Sequence, residues 1–134
     1  MALTRSIALD LRRFGVRANA VAPFAWTRIT ETIPAGSSEE ERRRVESLKK
    51  LRPEQVAPLI VYLVSDAARE VSGQVFAVRG SEIVLFSLPR PLRTVRAEGG
   101  WSPETIAERA IPALREAFSP LQVTAEVFPE DPPL

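Results

Sequence analysis

Hydrophobic positions recur every three or four residues at the start of the chain. Leu3, Ile7, Leu11 and Phe14 have the spacing of one helix face, and Gly15 is a residue type that commonly ends helices. The pattern therefore predicts an amphipathic helix up to this glycine. Because no capping residue precedes the pattern, we expect the first turns of a longer helix to lie upstream.

The hydrophobic period changes to two directly after this glycine. The segment VRANAVA, residues 16–22, alternates apolar side chains and predicts a buried strand. We expect Pro23 to stop the strand because proline lacks a backbone N–H. The next residues mix Phe24 and Trp26 with Thr27, and loops at the carboxyl ends of strands are where open α/β sheets bind ligands. This loop is therefore the first candidate binding site.

A polar segment, SSEEERRRVESLKK from residue 37, predicts the next helix. Ser38 is a suitable cap, and acidic residues precede basic ones in the order that the helix dipole favours. The RRR and KK runs are candidates for an anion-binding patch. We favour a solvent-exposed helix face, because acidic residues are interleaved with the basic ones.

The most apolar helix is predicted from Pro53 to Ala68, with Pro58 inside it. A second strand is predicted from Gln74 to Val78. Two strands joined by a long helical crossover are the arrangement that parallel strands require. The order of elements therefore predicts an α/β fold.

The C-terminal third of the chain is less regular. The extended run EIVLFSL is followed by an irregular connector rich in proline and arginine. A last helix is predicted from Ser102 to Phe118, interrupted by Pro112. The segment that follows is acidic and rich in proline, and we expect it to be mobile.

Composition narrows the chemistry that this chain can perform. Lys and Arg number 18 against 17 Asp and Glu, so no general electric field favours nucleic acid or an anionic membrane. The chain has no Cys and no His, which removes thiolate metal sites, cysteine nucleophiles and Ser-His-Asp triads, and we predict no metal site. With no candidate membrane span and no signal-peptide core at its start, we expect a cytoplasmic protein.

At this point the sequence resembles the C-terminal half of the short-chain dehydrogenase/reductase family. MALTRSIALDLRRFGVRANAVAP is similar to the end of that family's active-site helix and its sixth strand. PEQVAPLIVYLVSDAAREVSGQVFAVRG is similar to the penultimate helix and seventh strand. TRITE and GGWSPET are similar to the branch that contains the (3R)-hydroxyacyl-CoA dehydrogenase unit of multifunctional β-oxidation enzymes.

This resemblance implies an α/β fold that is the C-terminal portion of a Rossmann-type doubly wound parallel sheet. We expect two parallel strands with helices and a C-terminal extension, residues 1–122 forming the half-domain and residues 123–134 a mobile, acidic, proline-rich tail. The strand over residues 16–22 is then expected to expose the edge that the family's fifth strand covers.

The resemblance also implies an oxidoreductase that uses NAD or NADP and acts on a hydroxyacyl-CoA-like or other secondary alcohol or ketone substrate. Residues matching Pro23, Phe24 and Thr27 contact the nicotinamide in the family, so these three are the predicted cofactor-binding residues, with Phe24 replacing the usual glycine. We favour a contact of Thr27 with the carboxamide over a role as a helix cap. Trp26 is expected to line a substrate entrance or to pack under a lid. For Arg28 we favour a local ion pair over a contact with a phosphate-bearing acyl-CoA.

The other catalytic parts of the family match nothing in this chain. Tyr62 is its one tyrosine, and Asp66 stands four residues later where the family's YxxxK pattern has lysine. None of the six glycines belongs to a glycine-rich turn for a pyrophosphate. We therefore predict no catalytic residue here and expect the YxxxK pair to lie just before Met1. The chain alone is expected to be inactive and not to hold the cofactor by itself.

Two functions stay open at this point. The chain is part of such an oxidoreductase, or it is a non-catalytic module that assembles with intact dehydrogenase subunits through its first helix and its C-terminal strand and helix. We expect a homo-oligomer or a missing N-terminal half as partner, a small-molecule substrate in the complete enzyme, and neither nucleic acid nor membrane. Since two strands are too few for a stable sheet, we expect the isolated chain to be marginally stable.

Overall fold

The computed structural model describes residues 1–32, 34 and 36–133. They form two compact units, one of Met1–Leu88 with Glu130–Leu134 and one of Pro89–Pro129. Along the first unit run α1 (Ala2–Leu11), β1 (Ala20–Phe24), α2 (Glu39–Lys49), α3 (Ala57–Val64), β2 (Val75–Arg79) and β3 (Glu82–Leu85). The domain boundary at residue 122 and the mobility of the tail stay predictions.

The sheet of the first unit has the strand order β1-β2-β3. β1 pairs with β2 in parallel, with Ala20 opposite Val75, and β2 pairs with β3 antiparallel. The tight turn between β2 and β3 contains Gly80, whose φ of 61° lies in the left-handed region. The predicted α/β fold with two parallel strands is confirmed. The extended run EIVLFSL contains the third strand, Glu82–Leu85, whose antiparallel pairing with β2 was not predicted.

The bounds predicted for the first strand are wrong. β1 runs over Ala20–Phe24 and includes Pro23, which was expected to stop it. The Ala20 N–H donates to the Gln74 carbonyl oxygen at 2.9 Å, and the backbone groups of every second residue point the same way. The backbone N–H and C=O of Val21 and the backbone C=O of Pro23 therefore face the opposite side of the strand, where no described strand lies. A proline costs no ladder hydrogen bond on an open edge, so the strand continues through it.

The core of the first unit lies between α3 and the sheet. Leu59 and Leu63 of α3 pack with Val78 of β2, and each of the three is less than 9% exposed. Val21 and Phe76 contact this cluster from β1 and β2. Burial of these side chains is the main contribution that fixes α3 on the sheet.

The prediction of one continuous helix from Pro53 to Ala68 is wrong. Short 3-10 turns at Pro53–Gln55 and Asp66–Ala68 flank the α-helical Ala57–Val64. Pro58 lies in the first turn of α3, where its missing N–H removes no helical hydrogen bond. The proline is therefore a start signal rather than an interruption.

The helices predicted at Leu3–Phe14 and after Ser38 are confirmed. α1 is extended by a 3-10 turn, Arg12–Phe14, and ends at Gly15 with a φ of 71°. Ser38 and Glu41 form a capping box at the start of α2. The apolar stripe of α1 faces solvent in this chain, since Leu3 is 72% and Phe14 64% exposed.

The second unit is built around a helical stretch that changes type along its length. α4 (Pro103–Thr105) continues into a π-helical turn, Ile106–Ala110, and then into α5 (Ile111–Arg115), while α6 covers Thr124–Val127. Pro112 has no N–H to donate to the carbonyl four residues earlier, which is a known cause of such a widened turn. No helix in the described part of the chain is long and apolar enough to cross a lipid bilayer.

Candidate functional site

The predicted cofactor-binding residues lie at the carboxyl end of β1. Pro23 and Phe24 are the last two residues of the strand, and Phe24 is opposite Arg79, the last residue of β2. Thr27 follows three residues later and is exposed. The carboxyl ends of two parallel strands and the loop after β1 therefore meet at one edge of the sheet, the position at which open α/β sheets bind ligands.

The loop after β1 is shaped by its own hydrogen bonds. The Thr27 N–H donates to the Thr30 hydroxyl at 2.6 Å, and that hydroxyl donates to the Thr27 carbonyl oxygen at 2.7 Å. The Thr30 side chain thereby satisfies both backbone groups of Thr27 in the manner of a Ser/Thr turn. The Thr27 side chain takes no part in these bonds, so its hydroxyl is available to a ligand.

Trp26 attaches the same loop to the segment that follows α2. The backbone N–H of Trp26 donates to the Leu51 carbonyl oxygen at 2.7 Å, and Leu51 is 2% exposed. The Trp26 side chain is half-buried, while Arg28 is exposed and forms no ion pair with any residue that the structure describes. The ion pair favoured for Arg28 is therefore not seen within the described residues.

Arg79 is the one buried charged side chain among the described residues, at 6% exposure. Its Nε and Nη2 atoms each lie 2.8 Å from the Glu82 carboxylate oxygen Oε2, and its Nη1 donates to the Glu130 carbonyl oxygen at 2.7 Å. These partners compensate for the loss of water around a charged guanidinium. Arg79 therefore has a structural role at the carboxyl end of the sheet.

Two clefts lie elsewhere on the first unit. One, of about 490 Å³, includes Arg17, Asn19 and Val64 in its lining, and the other, of about 760 Å³, includes Glu41 and Leu48. Neither is lined by the three predicted cofactor-binding residues. What those residues offer is an exposed surface at the end of a strand, as expected of a site that other chain segments must complete.

The residues present fit only the nicotinamide end of a dinucleotide. Thr27 offers an exposed hydroxyl that can both donate and accept, which suits a carboxamide. A pyrophosphate needs backbone N–H groups of a glycine-rich turn at a helix start. Gly15 follows a helix and Gly80 lies in the β2–β3 turn, while Gly36, Gly99 and Gly100 precede helix starts that no described strand leads into directly. Pro23, Phe24 and Thr27 are thus candidates for one part of a cofactor site, and the remainder would have to come from other residues.

Three polar residues with well-defined contacts were missed by the sequence analysis. The Arg17 guanidinium donates to the carbonyl oxygens of Leu63 at 2.6 Å, Ala68 at 2.9 Å and Ser65 at 3.1 Å. Asn19 bridges the chain before β2, accepting from the Gln74 N–H at 3.0 Å and donating to the Val71 carbonyl oxygen at 2.8 Å. Together with Arg79 they tie loops to the sheet. Arg17 and Asn19 bind backbone groups distant in sequence, and Arg79 reaches Glu130 as well as the nearby Glu82, so no local motif identifies the long-range contacts.

Two carboxylates have lowered pKa values, and both belong to helix starts. Hydrogen bonds from the backbone N–H groups of Ser38 and Ser37 lower the pKa of Glu41. A hydrogen bond with the Ser102 side chain lowers the pKa of Glu104. Glu41 belongs to the capping box of α2 and Glu104 lies in the first turn of α4, so their pKa shifts carry no indication of catalysis.

The comparisons with known proteins agree with this fold. A family model described as enoyl-(acyl carrier protein) reductase matches residues 1–80. The chain belongs to the short-chain dehydrogenase/reductase family, whose members are oxidoreductases.

Individual relatives match most of the chain but only a part of their own length. The chain is 39% identical to the hydroxyacyl-CoA dehydrogenase ChsB1 of Mycobacterium tuberculosis over 119 residues, which are 88% of this chain and 35% of that protein. It is 35% identical to the 3-oxoacyl-[acyl-carrier-protein] reductase FabG of Thermotoga maritima, over 61% of this chain and 34% of the relative.

A solved structure extends the similarity to three dimensions. The short chain dehydrogenase from Mycobacterium avium matches with a TM-score of 0.66 and 28% identity, over 91% of this chain and 36% of that one. The chain therefore spans about a third of the length of the relatives that it matches.

Proposed function

We propose that the chain is the C-terminal part of an NAD- or NADP-dependent oxidoreductase that acts on a hydroxyacyl-CoA-like or other secondary alcohol or ketone. The 39% identity to a hydroxyacyl-CoA dehydrogenase over 88% of the chain supports this substrate class. The cofactor, when bound, takes up or delivers the hydride.

The observation that carries the proposal is the position of Pro23, Phe24 and Thr27. All three lie at or just after the carboxyl end of β1, on the side of the sheet where dinucleotide-binding folds hold their ligand. In the proposed enzyme the Thr27 hydroxyl binds the carboxamide. Pro23 and Phe24 pack beside the nicotinamide ring and fix which face it presents.

The proton transfer is assigned to residues outside this chain. An alcohol dehydrogenation needs a general base within hydrogen-bond reach of the substrate hydroxyl. Tyr62 lies on α3, 46% exposed, and is not followed by a lysine four residues later. We therefore assign it no catalytic role and expect the isolated chain to be inactive.

The open edge of β1 is where the complementary part is proposed to join. The Val21 N–H and the carbonyl oxygens of Val21 and Pro23 face this edge. A parallel strand that pairs here could therefore accept a hydrogen bond from Val21 and donate hydrogen bonds to both carbonyl oxygens. The same edge borders the cleft of about 490 Å³ that Val21 helps to line. A strand with a covering helix would fill this space and bury the edge.

A complementation assay tests the proposal. The chain is co-expressed with the part of ChsB1 that precedes the matched residues, and the absorbance of the reduced nicotinamide is followed with a 3-hydroxyacyl-CoA and NAD or NADP. We expect activity only when both parts are present. Activity of the chain alone would contradict the assignment of proton transfer to other residues.

The second candidate is a non-catalytic module that assembles with intact dehydrogenase subunits. The exposed apolar stripe of α1 and of the 3-10 turn after it favours this module, since Leu3 and Phe14 are each more than 60% exposed. Mixing the chain with an intact family member and separating species by size measures this directly. A mixed species without any complementation activity would favour the module over the enzyme part.

A further inference from the structure

The last described residues of the chain are attached to the first unit at three points. The Glu130 carbonyl oxygen accepts from Arg79 Nη1 at 2.7 Å, and the Asp131 carboxylate oxygen Oδ2 accepts from the Ser47 hydroxyl at 3.1 Å. The Pro133 carbonyl oxygen accepts from the Ser81 N–H at 3.1 Å. Four consecutive residues thus connect the β2–β3 hairpin with the end of α2.

The first of these attachments uses a buried partner. Arg79 is 6% exposed, and the Glu82 carboxylate in the hairpin is a further hydrogen-bonded partner. A buried guanidinium that loses an acceptor incurs a desolvation penalty, so the Glu130 carbonyl belongs to the set of acceptors that makes this burial favourable. An arginine on the surface could bind water instead, so it would not favour contact with one particular backbone carbonyl.

The last attachment requires a glycine in the hairpin. A Cβ atom added at Gly80 would overlap the Pro133 carbonyl oxygen and would lie 3.5 Å from Leu51 Cδ2. Leu51 is 2% exposed, so the hairpin turn lies beside a buried residue of the segment that follows α2. Gly80 is therefore needed for the close approach as well as for its positive φ.

The segment around Leu51 also holds the loop that carries the candidate cofactor-binding residues. The Leu51 carbonyl oxygen accepts from the Trp26 N–H at 2.7 Å. Neighbouring residues thus lead from Pro133, which is bonded to Ser81 in the hairpin turn, past Gly80 and the adjacent Leu51 to Trp26, next to Thr27.

We propose that Glu130–Pro133 is a strap that fixes the end of α2 and Leu51 against the β2–β3 hairpin, and thereby fixes the loop after β1. Docked, the strap keeps the Trp26–Leu51 hydrogen bond closed. Released, it frees both the end of α2 and the loop. The inference goes beyond the proposed function, because it concerns the chain's own backbone and holds whether or not a cofactor binds.

Amide hydrogen exchange measured by NMR on the whole chain tests the strap. The Ser81 N–H reports docking of Pro133, and the Trp26 N–H reports the loop. We compare Gly80→Ala with Gly15→Ala, since both glycines have positive φ but a Cβ at Gly15 meets nothing within 4 Å. Both variants therefore have the same kind of backbone strain, and only Gly80→Ala displaces the strap.

The expected result is slow exchange of both amides in the wild type and in Gly15→Ala. In Gly80→Ala we expect exchange at least about tenfold faster at both, while β2 amides such as that of Ala77 keep their protection. Unprotected Ser81 in the wild type would overturn the proposal. So would an unchanged Trp26 rate in Gly80→Ala.

A second pair of variants keeps the test valid if Gly80→Ala does not fold. Asp131→Ala removes the attachment to Ser47, whereas Glu130→Ala keeps the backbone carbonyl that binds Arg79. We expect faster exchange at the end of α2 and at Trp26 in Asp131→Ala only. Equal exchange in the two variants would contradict the strap.

Discussion

Phe24 and Arg79 lie opposite each other at the carboxyl end of the parallel pair formed by β1 and β2. One residue leads into the loop of Thr27, and the other binds the backbone of Glu130. This register brings the candidate cofactor-binding loop and the C-terminal residues to the same edge of the sheet. In the proposed enzyme, the cofactor and the C-terminal residues would therefore meet at this edge.

Removal of the Thr27 hydroxyl tests the proposed carboxamide contact. In the complemented enzyme we expect Thr27→Ala to raise the KM for the nicotinamide cofactor about 5- to 30-fold, the equivalent of one hydrogen bond of roughly 1–2 kcal/mol. Thr27→Ser keeps the hydroxyl and is the matched control. Equal KM values for the two variants would remove Thr27 from the site.

The packing of α3 on the sheet is tested by two neighbouring positions. Leu63 is 8% exposed and lies in the core, whereas Val64 is 75% exposed. We expect Leu63→Ala to lower the free energy of unfolding by about 2–5 kcal/mol and Val64→Ala to change it by less than about 0.5 kcal/mol. Urea denaturation of each variant gives these values. Similar losses at both positions would show that α3 packs through a different face.

Arg17 is expected to be more important for stability than its half-exposed position indicates. Its guanidinium donates to three carbonyl oxygens around the end of α3. A lysine ammonium lacks the two planar NH₂ groups that make these bonds together. We expect Arg17→Lys to lower the free energy of unfolding by on the order of 2 kcal/mol. Arg5→Lys, on the exposed surface of α1, is the control and is expected to change little. An unchanged stability of Arg17→Lys would mean that one carbonyl contact suffices.

The lowered pKa of Glu41 gives the cap of α2 a defined pH dependence. Backbone N–H groups of Ser38 and Ser37 bind the ionised carboxylate and lower its pKa. A lowered folded-state pKa means that the stabilisation is present above the ordinary glutamate pKa and is lost as the pH falls through the folded value. Between about pH 5 and pH 3, the free energy of unfolding of the wild type should fall more steeply than that of Glu41→Gln.

Glu40→Gln is the control for this pH dependence, because Glu40 lies in the same first turn of α2 and is exposed. Its pH profile is expected to follow the wild type. A Glu41→Gln profile that also follows the wild type would show that the capping box does not couple to folding.

The sequence predicted the elements whose signals are local. The apolar period of α1 with Gly15, and Ser38 with the acidic first turn of α2, each lie within a few residues of the structure they specify. Two parallel strands followed from their separation by a long helical segment. The family resemblance, based on short motifs along the chain, is confirmed.

The errors occurred where tertiary context decides the effect of a proline. Pro23 was interpreted as a strand stop, yet its N side faces an open edge and β1 continues to Phe24. Pro58 starts α3 after a separate 3-10 turn, so the predicted single helix is divided. The contacts of Arg17 and Arg79 with distant carbonyl oxygens have no local pattern at all. The roles of Pro23, Phe24 and Thr27 stay predictions.

The most direct test of the central claim is the hydrogen exchange rate of the Val21 amide. This N–H faces the open edge of β1, whereas that of Ala20 is bonded to Gln74. We expect Val21 to exchange rapidly in the isolated chain and to become protected when the complementary part of the dehydrogenase is added, with Ala20 protected in both. A Val21 rate that does not change on addition of that part would contradict the account.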